Sequence, residues 1–95
     1  MNRTELKACI AERAALRYTP AGLPALDLIL EHASDVQEAG QMRKVQLKLR
    51  ALAIGSLAER LAKQAVGSIW MFKGFLATPR KGKSVVLHIQ EFQRD

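Results

Sequence analysis

The stretch Lys44-Val-Gln-Leu-Lys-Leu-Arg-Ala-Leu-Ala-Ile-Gly-Ser-Leu-Ala-Glu-Arg-Leu-Ala62 changes its hydrophobic period part-way along, and this change indicates the fold. In its first half, apolar and polar residues alternate strictly, which is typical of a half-buried β-strand. The inward-facing residues of this predicted strand are Val45, Leu47 and Leu49. The outward-facing residues are Lys44, Gln46, Lys48 and Arg50.

The second half of the stretch has the spacing of a short amphipathic helix. Ser56 and Glu59 are spaced as a capping box, in which each side chain satisfies a free backbone N–H at the helix start. Gly67 follows at a position suited to a left-handed C-terminal cap, which predicts a helix of about ten residues. The apolar residues of this predicted helix are four positions apart, so they form a stripe along one of its faces. The stripe consists of Leu57, Ala58, Leu61 and Ala62.

Period-two alternation recurs in four further segments, which predicts four more strands. They contain Leu6, Ala8 and Ile10; Leu26, Leu28 and Leu30; residues 67–76; and Val85, Leu87 and Ile89. Between them we expect a β-turn with Pro20 and Gly22, a polar loop over residues 34–40 and a basic turn over residues 78–83. The resulting order is β-β-β-α-β-β.

This order predicts an all-β OB-fold, a five-stranded Greek-key barrel with one short helix between strands 3 and 4. A five-stranded SH3-like barrel is the nearest alternative, but it has no capped helix at that place. A chain of 95 residues is long enough for one such domain, so residues 1–95 are predicted to form a single OB-fold domain.

The composition of the chain limits the partners and the kinds of site that we expect. Fifteen Lys and Arg against nine Asp and Glu give a formal charge of +6, which favours a polyanion. Cys9 is the only cysteine, so an internal disulfide and a cysteine-based metal site are excluded. No apolar run has the length of a signal peptide core or a membrane span, so we expect a cytoplasmic protein with no membrane partner.

Short motifs along the chain occur in the order found in one known family. They are Asn2-Arg3, Pro20-Ala-Gly-Leu-Pro24, Leu30-Glu-His32, Glu38-Ala-Gly40, Gly67-Ser68, Lys73-Gly-Phe75 and Val86-Leu-His88. With these motifs the sequence resembles the primosomal replication protein N family, PriB, over nearly its whole length. The resemblance implies an OB-fold homodimer that binds single-stranded DNA in replication restart. It also implies contacts with the helicase PriA and, in some members, with the loader protein DnaT.

The sequence departs from that family on the outward face of strand 3. Members can carry a base-stacking tryptophan at mid-strand, where this chain has Gln46, and an aromatic residue near the strand start is replaced by Gln41 or Met42. The turn before strand 5 is basic, as in those members, but it is shorter than theirs. Because stacking contributes about 1–3 kcal/mol per base, we expect binding to be more electrostatic and weaker than in such members.

Cations occur in all three places that OB-folds use to bind oligonucleotides, namely the strand 2–3 face and the loops joining strands 1–2 and 4–5. This coincidence is the strongest functional signal in the sequence, although an outward basic row also occurs on strands that are merely solvated. The predicted nucleic-acid-binding residues are Arg13, Arg17, Lys44, Gln46, Lys48, Arg50, Phe75, Arg80, Lys81 and Lys83.

Aromatic and apolar residues on strand 4 divide between its two faces. Counting from Gly74, Trp70 and Phe72 point inward, whereas Phe75 points outward and either stacks a base or lies in a subunit interface. Tyr18 is a weaker stacking candidate. Exposed apolar residues favour a homodimer. The predicted interface residues are Cys9, Ile29, Ile69 and Met71.

The sequence bears on four functional possibilities. Catalysis has almost no support, because His32 and His88 lie in no metal-binding motif and beside no nucleophile, so we expect no enzyme, no metal and no cofactor. The first hypothesis is a single-stranded DNA-binding protein of the primosome. The alternative is an OB-fold adaptor with weak DNA affinity, and an RNA-binding OB-fold protein is a more distant third, since spacing does not distinguish RNA from DNA.

Overall fold

The computed structural model describes residues 1–94 of the 95-residue chain. It contains six strands and one helix. The strands are β1 (Thr4–Arg13), β2 (Arg17–Tyr18), β3 (Pro24–Glu38), β4 (Gln41–Ile54), β5 (Ile69–Ala77) and β6 (Val86–Gln93), and the helix is α1 (Ser56–Ala62). No helix within residues 1–94 is long and apolar enough to cross a membrane.

The five long strands close into a barrel in the order β1-β5-β6-β4-β3, with β3 returning to pair with β1. All neighbours are antiparallel except β4 and β6, which run parallel. The helix lies between β4 and β5 in the chain, as predicted. The OB-fold is therefore confirmed, and the two-residue strand β2, which pairs only with β3, is the one addition.

The barrel core follows from the inward-facing residues of the alternating segments. Ile10, Leu26, Leu30, Phe72 and Leu87 are completely buried, and each such side chain contributes roughly 1.5–3 kcal/mol by leaving water. The prediction that Trp70 belongs to the core is confirmed, since it is 8% exposed. Its ring meets that of Phe92 edge to face at 5.1 Å between centroids.

The predicted loop over residues 34–40 is wrong. Strands β3 and β4 stay paired as far as Glu38 and Gln41, joined by Ala39 and Gly40, which both have positive φ as in a tight hairpin turn. Residues 33–46 thus form an arm that extends the molecule to 50 Å. Because much of the arm has no core to face, its β3 half lacks apolar periodicity. Leu47, predicted inside, lies at its base and is 41% exposed.

The helix begins differently from the prediction. Gly55 is its N-cap, with φ 85° and ψ −151°, and no side chain caps the helix, so the capping box of Ser56 and Glu59 is wrong. Helix α1 has seven residues and ends well before Gly67. Gly67 has a φ of 94° and donates its N–H to the carbonyl of Ile10 at 2.7 Å, so it joins the helix to the barrel rather than capping it.

Two smaller sequence predictions have opposite outcomes. The β-turn before β3 is confirmed, since the N–H of Gly22 donates to the carbonyl of Thr19 at 2.8 Å around Pro20. Val85, predicted in the core, is instead 46% exposed, while Val86 and Leu87 are both buried. The alternation fails there because β6 begins only at Val86, after an irregular segment.

Candidate nucleic-acid interface

A groove of about 490 Å³ runs across the outer face of the barrel. Arg13 at the end of β1, Arg17 on β2 and Arg50 on β4 line it, and we call it the arginine groove. Its lining also includes apolar residues of the barrel face, among them Ile29 and Leu52. The fold therefore brings together three predicted nucleic-acid-binding residues from separate parts of the sequence.

The three arginines are held differently. The Nε atom of Arg17 donates to Oδ2 of Asp27 at 2.7 Å, and a second guanidinium nitrogen lies 3.3 Å from Oδ1. This hydrogen bond, with the attraction between the charges, raises the pKa of Arg17 further. Arg13 donates to the backbone carbonyl of Gln64. Within residues 1–94, the side chain of Arg50 makes no hydrogen bond or ion pair.

The basic loop between β5 and β6 begins at the edge of the arginine groove. Pro79 lines the groove, and a turn from Pro79 to Gly82 is closed by a 3.0 Å hydrogen bond between their backbone groups. The cations of this loop are all exposed, and they follow directly after Pro79 in the chain. They are Arg80, Lys81 and Lys83.

The remaining residues of the predicted basic row lie on or at the base of the arm, and its two lysines face acids. Lys44 stands opposite Asp35, and Lys48 opposite Glu31, with Lys48 Nζ 3.4 Å from Glu31 Oε1. Gln46 stands opposite Ala33. The row is thus partly neutralised, which sequence reasoning missed because it treated part of the opposing strand as a loop. Arg50 stands opposite Ile29, so no acidic residue faces it across the hairpin.

A second groove, of about 800 Å³, separates the base of the arm from β1, and we call it the arm cleft. It opens because β1 and β3 pair only from Cys9 to Arg13. His32 fills part of the gap: its Nδ1 lies 2.6 Å from the carbonyl oxygen of Lys7, and its Nε2 lies 2.8 Å from the Ser34 hydroxyl. Both ring nitrogens of His32 are therefore engaged in structural contacts.

Phe75 points outward as predicted, but its ring is already stacked. It lies parallel to the imidazole of His88, its direct partner on β6, with 4.8 Å between centroids and 9° between planes. His88 lines the arginine groove, whereas Phe75 is absent from the lining among the described residues. Sequence reasoning could have found His88, because the alternation of β6 places it outward opposite Phe75.

The predicted interface residues fall in two places. Cys9 and Ile69 are direct cross-strand partners, and Met71 lies two residues further along β5 on the same outward face. Ile29 lies elsewhere, in the arginine groove. Within residues 1–94, no three His, Cys, Asp or Glu side chains are grouped so that they could hold a metal ion.

Comparison with known proteins places this geometry in a family. A family model described as another single-strand binding protein family matches residues 2–91. The replication restart protein PriB of Bordetella pertussis is 48% identical, over 99% of this chain and 89% of the relative. The chain belongs to the PriB family. The resemblance seen in its short motifs is thereby confirmed.

Solved structures agree with the PriB assignment. The PriB protein of Ralstonia solanacearum superposes with a TM-score of 0.90 at 37% identity, covering 99% of this chain and 97% of that one. A single-stranded DNA-binding protein of Thermus aquaticus gives a TM-score of 0.77 at 27% identity, covering 98% of this chain and 49% of that one. These relatives are named as replication restart or DNA-binding proteins, not as enzymes.

Proposed function

We propose that this PriB-family chain binds single-stranded DNA in the arginine groove, largely through electrostatic contacts, as a cytoplasmic accessory protein of replication restart. The observation that carries the proposal is the convergence of Arg13, Arg17 and Arg50 on one groove of an OB-fold barrel, beside the basic loop that starts at Pro79. Relatives named as single-stranded DNA-binding proteins support the ligand. The relative called a replication restart protein supports that role. The family resemblance extends the proposal to contacts with the helicase PriA and, in some bacteria, with DnaT.

The groove matches the chemistry of a single strand. Guanidinium groups bind phosphate oxygens through charge-assisted and often bidentate hydrogen bonds, and each contact releases condensed counterions. Apolar residues such as Ile29 and Leu52 line the groove between the cations and offer a surface to unstacked bases. Arg50 is the most available of the three, because its guanidinium group makes no hydrogen bond or ion pair within the described residues.

Fluorescence anisotropy with a labelled oligo-dT tests the proposal. A strand of about 30 nucleotides is suitable, since one OB-fold covers up to about 16. We expect binding at low salt, and we expect Arg50→Ala to weaken it by about three- to tenfold. Lys63→Ala is the matched control, because it removes an equal charge from the end of α1, outside both grooves. If the wild type does not bind oligo-dT at low salt, or if both variants lose the same affinity for it, the proposal is wrong.

One observation favours the adaptor as a second candidate function. Within residues 1–94, four cations lie within 4 Å of an acidic side chain, so part of the surface is charge-paired and suits a protein partner. The pairs join Arg17 to Asp27, Arg43 to Glu38, Lys48 to Glu31 and Lys73 to Glu5. If PriA is stimulated equally by the wild type and by a Lys48→Ala/Arg50→Ala variant that no longer binds DNA, the adaptor is favoured.

A homodimer is proposed on the face of β1 and β5. Ile69 is 56% exposed beside Cys9, and Met71 follows on the same face of β5. An exposed apolar patch of this kind suits a second copy of the chain. Analytical ultracentrifugation should give a dimer, and Ile69→Lys should shift it towards monomer; a wild-type monomer at high concentration rules the dimer out.

A further inference from the structure

The imidazole of His88 is fixed in orientation at the arginine groove. It lies on β6 in register with Leu52 on β4 and Phe75 on β5, so these side chains form one row across three strands. Phe75 stacks against it with 4.8 Å between ring centroids and only 9° between the planes. His88 is half-buried and lines the groove. Its ring is therefore supported by an aromatic neighbour while part of it faces the groove.

We propose that His88 is the base-contacting aromatic residue of the arginine groove and that Phe75 is a positioning residue that acts through it. The ligand is a nucleobase of the single strand, so the inference rests on the proposed function. Within residues 1–94, His88 is the only aromatic side chain in the groove lining. Histidine is among the side chains on which unstacked bases stack in nucleic-acid complexes.

The residues around His88 in the arginine groove are of two kinds: apolar residues that suit bases and arginines that suit phosphates. Leu52 and Ile29 are apolar lining residues, whereas Arg50 and Arg17 provide charge. A base that leaves water against apolar and aromatic groups brings its phosphate towards the guanidinium groups. In this arrangement the imidazole contacts the base, and the arginines contact the phosphates.

Phe75 makes this contact more effective by limiting the motion of His88. A free imidazole loses rotamer freedom when a base stacks on it, and that loss opposes binding. The parallel stack with Phe75 already restricts the ring in the unbound protein. Phe75 thus contributes to affinity without itself lining the groove.

The experiment compares two strands of equal length and charge, an oligo-dT and an abasic oligonucleotide. Replacing His88 by Ala should weaken binding of oligo-dT by about tenfold, the amount expected for one lost stacking contact. Affinity for the abasic strand, and the salt dependence of both, should stay as in the wild type. His88→Phe should keep the preference for oligo-dT, whereas His88→Gln should lose it.

Phe75 is tested with the same two strands. Phe75→Leu should reduce affinity for oligo-dT by about threefold while leaving the abasic strand unaffected, and Phe75→Tyr should restore it. Circular dichroism melting curves identify any variant that is unfolded. If His88→Ala does not fold, the comparison of His88→Phe with His88→Gln decides the question, because these two differ mainly in the ring.

The results separate this inference from the proposed function. If the wild type binds oligo-dT and His88→Ala binds it equally well, the stack serves only to join β5 to β6, and the inference is wrong. It is equally wrong if affinity for both strands falls in parallel, or if His88→Gln behaves as His88→Phe does. If the wild type binds neither strand at low salt, the proposed function fails first.

Discussion

Gly74 has no side chain because the carbonyl oxygen of His88 occupies the place where one would lie. A Cβ built at this position would stand 1.9 Å from that oxygen, and the oxygen belongs to the backbone of the neighbouring strand. The irregularity between β5 and β6 also falls here, between Lys73 and Gly74. The close approach of these strands fixes the register that pairs Phe75 with His88.

We therefore expect Gly74→Ala to destabilise the protein by about 3 kcal/mol, the upper part of the range for overpacking a well-packed site. Urea unfolding followed by tryptophan fluorescence measures the change. Gly82→Ala is the control, because a Cβ there would meet only side-chain atoms of Pro79 at 3.3 Å on an exposed loop. Equal stabilities for the two variants would contradict the account of this contact.

Asp27 lines the arginine groove, as Glu12 does, and its negative charge limits the cationic character of the groove. Its carboxylate engages Arg17, yet both side chains are 51% exposed, so the pair contributes less than about 1 kcal/mol to stability. Replacing Asp27 by Asn should leave unfolding almost unchanged while raising affinity for oligo-dT by about threefold, because it removes a negative charge from the groove. An unchanged or lower affinity in filter binding would show that Asp27 does not face the strand.

At the scale of elements, the start of α1 depends on the backbone and not on a side-chain cap. Gly55 adopts φ 85° and ψ −151°, a conformation essentially restricted to glycine. Gly55→Ala should therefore cost about 1–3 kcal/mol in chemical unfolding. Ser56→Ala should cost less than about 0.5 kcal/mol, whereas a true capping serine would cost about 1. If Ser56→Ala lowered the free energy of unfolding more than Gly55→Ala does, the capping box would be present after all.

The arm is closed by a turn that suits asparagine better than alanine. Ala39 has a φ of 53°, and alanine in this region costs roughly 1–2 kcal/mol. Ala39→Asn gives the Asn-Gly pair favoured in such turns and should slow amide exchange in residues 33–46 by about threefold or more. Exchange in the barrel strands is the internal control. Faster exchange confined to the arm would contradict the assigned turn.

Prediction from sequence succeeded where an element faces the barrel core. The inward residues of the first strand, the orientation of Trp70 and the position of the helix all follow from hydrophobic period, because burial enforces it. The arm was missed because residues 34–38 pair with β4 through their backbones, with little core for their side chains to face. Val85 was misplaced for a related reason, since alternation was extended into residues outside β6.

For the whole molecule, the sequence predicted the residue types of the candidate site but not their grouping. Arg13, Arg17 and Arg50 meet because β1, β2 and β4 all pair with the same part of β3. The outward row from Lys44 to Arg50 looks uniform in sequence, yet the opposing strand places Glu31 and Asp35 beside part of it. Pairing between distant segments cannot be read from the spacing within one of them.

The salt dependence of oligo-dT binding tests the central claim, that Arg50 and its neighbours contact phosphates in the arginine groove. Three to six phosphate contacts predict that log K falls against log salt with a slope between about −2 and −4, at about 0.7 per contact. Arg50→Ala should reduce the magnitude of that slope by about 0.7, and Lys63→Ala should leave it unchanged. A slope near zero in the wild type, or one unaltered by Arg50→Ala, would contradict the account.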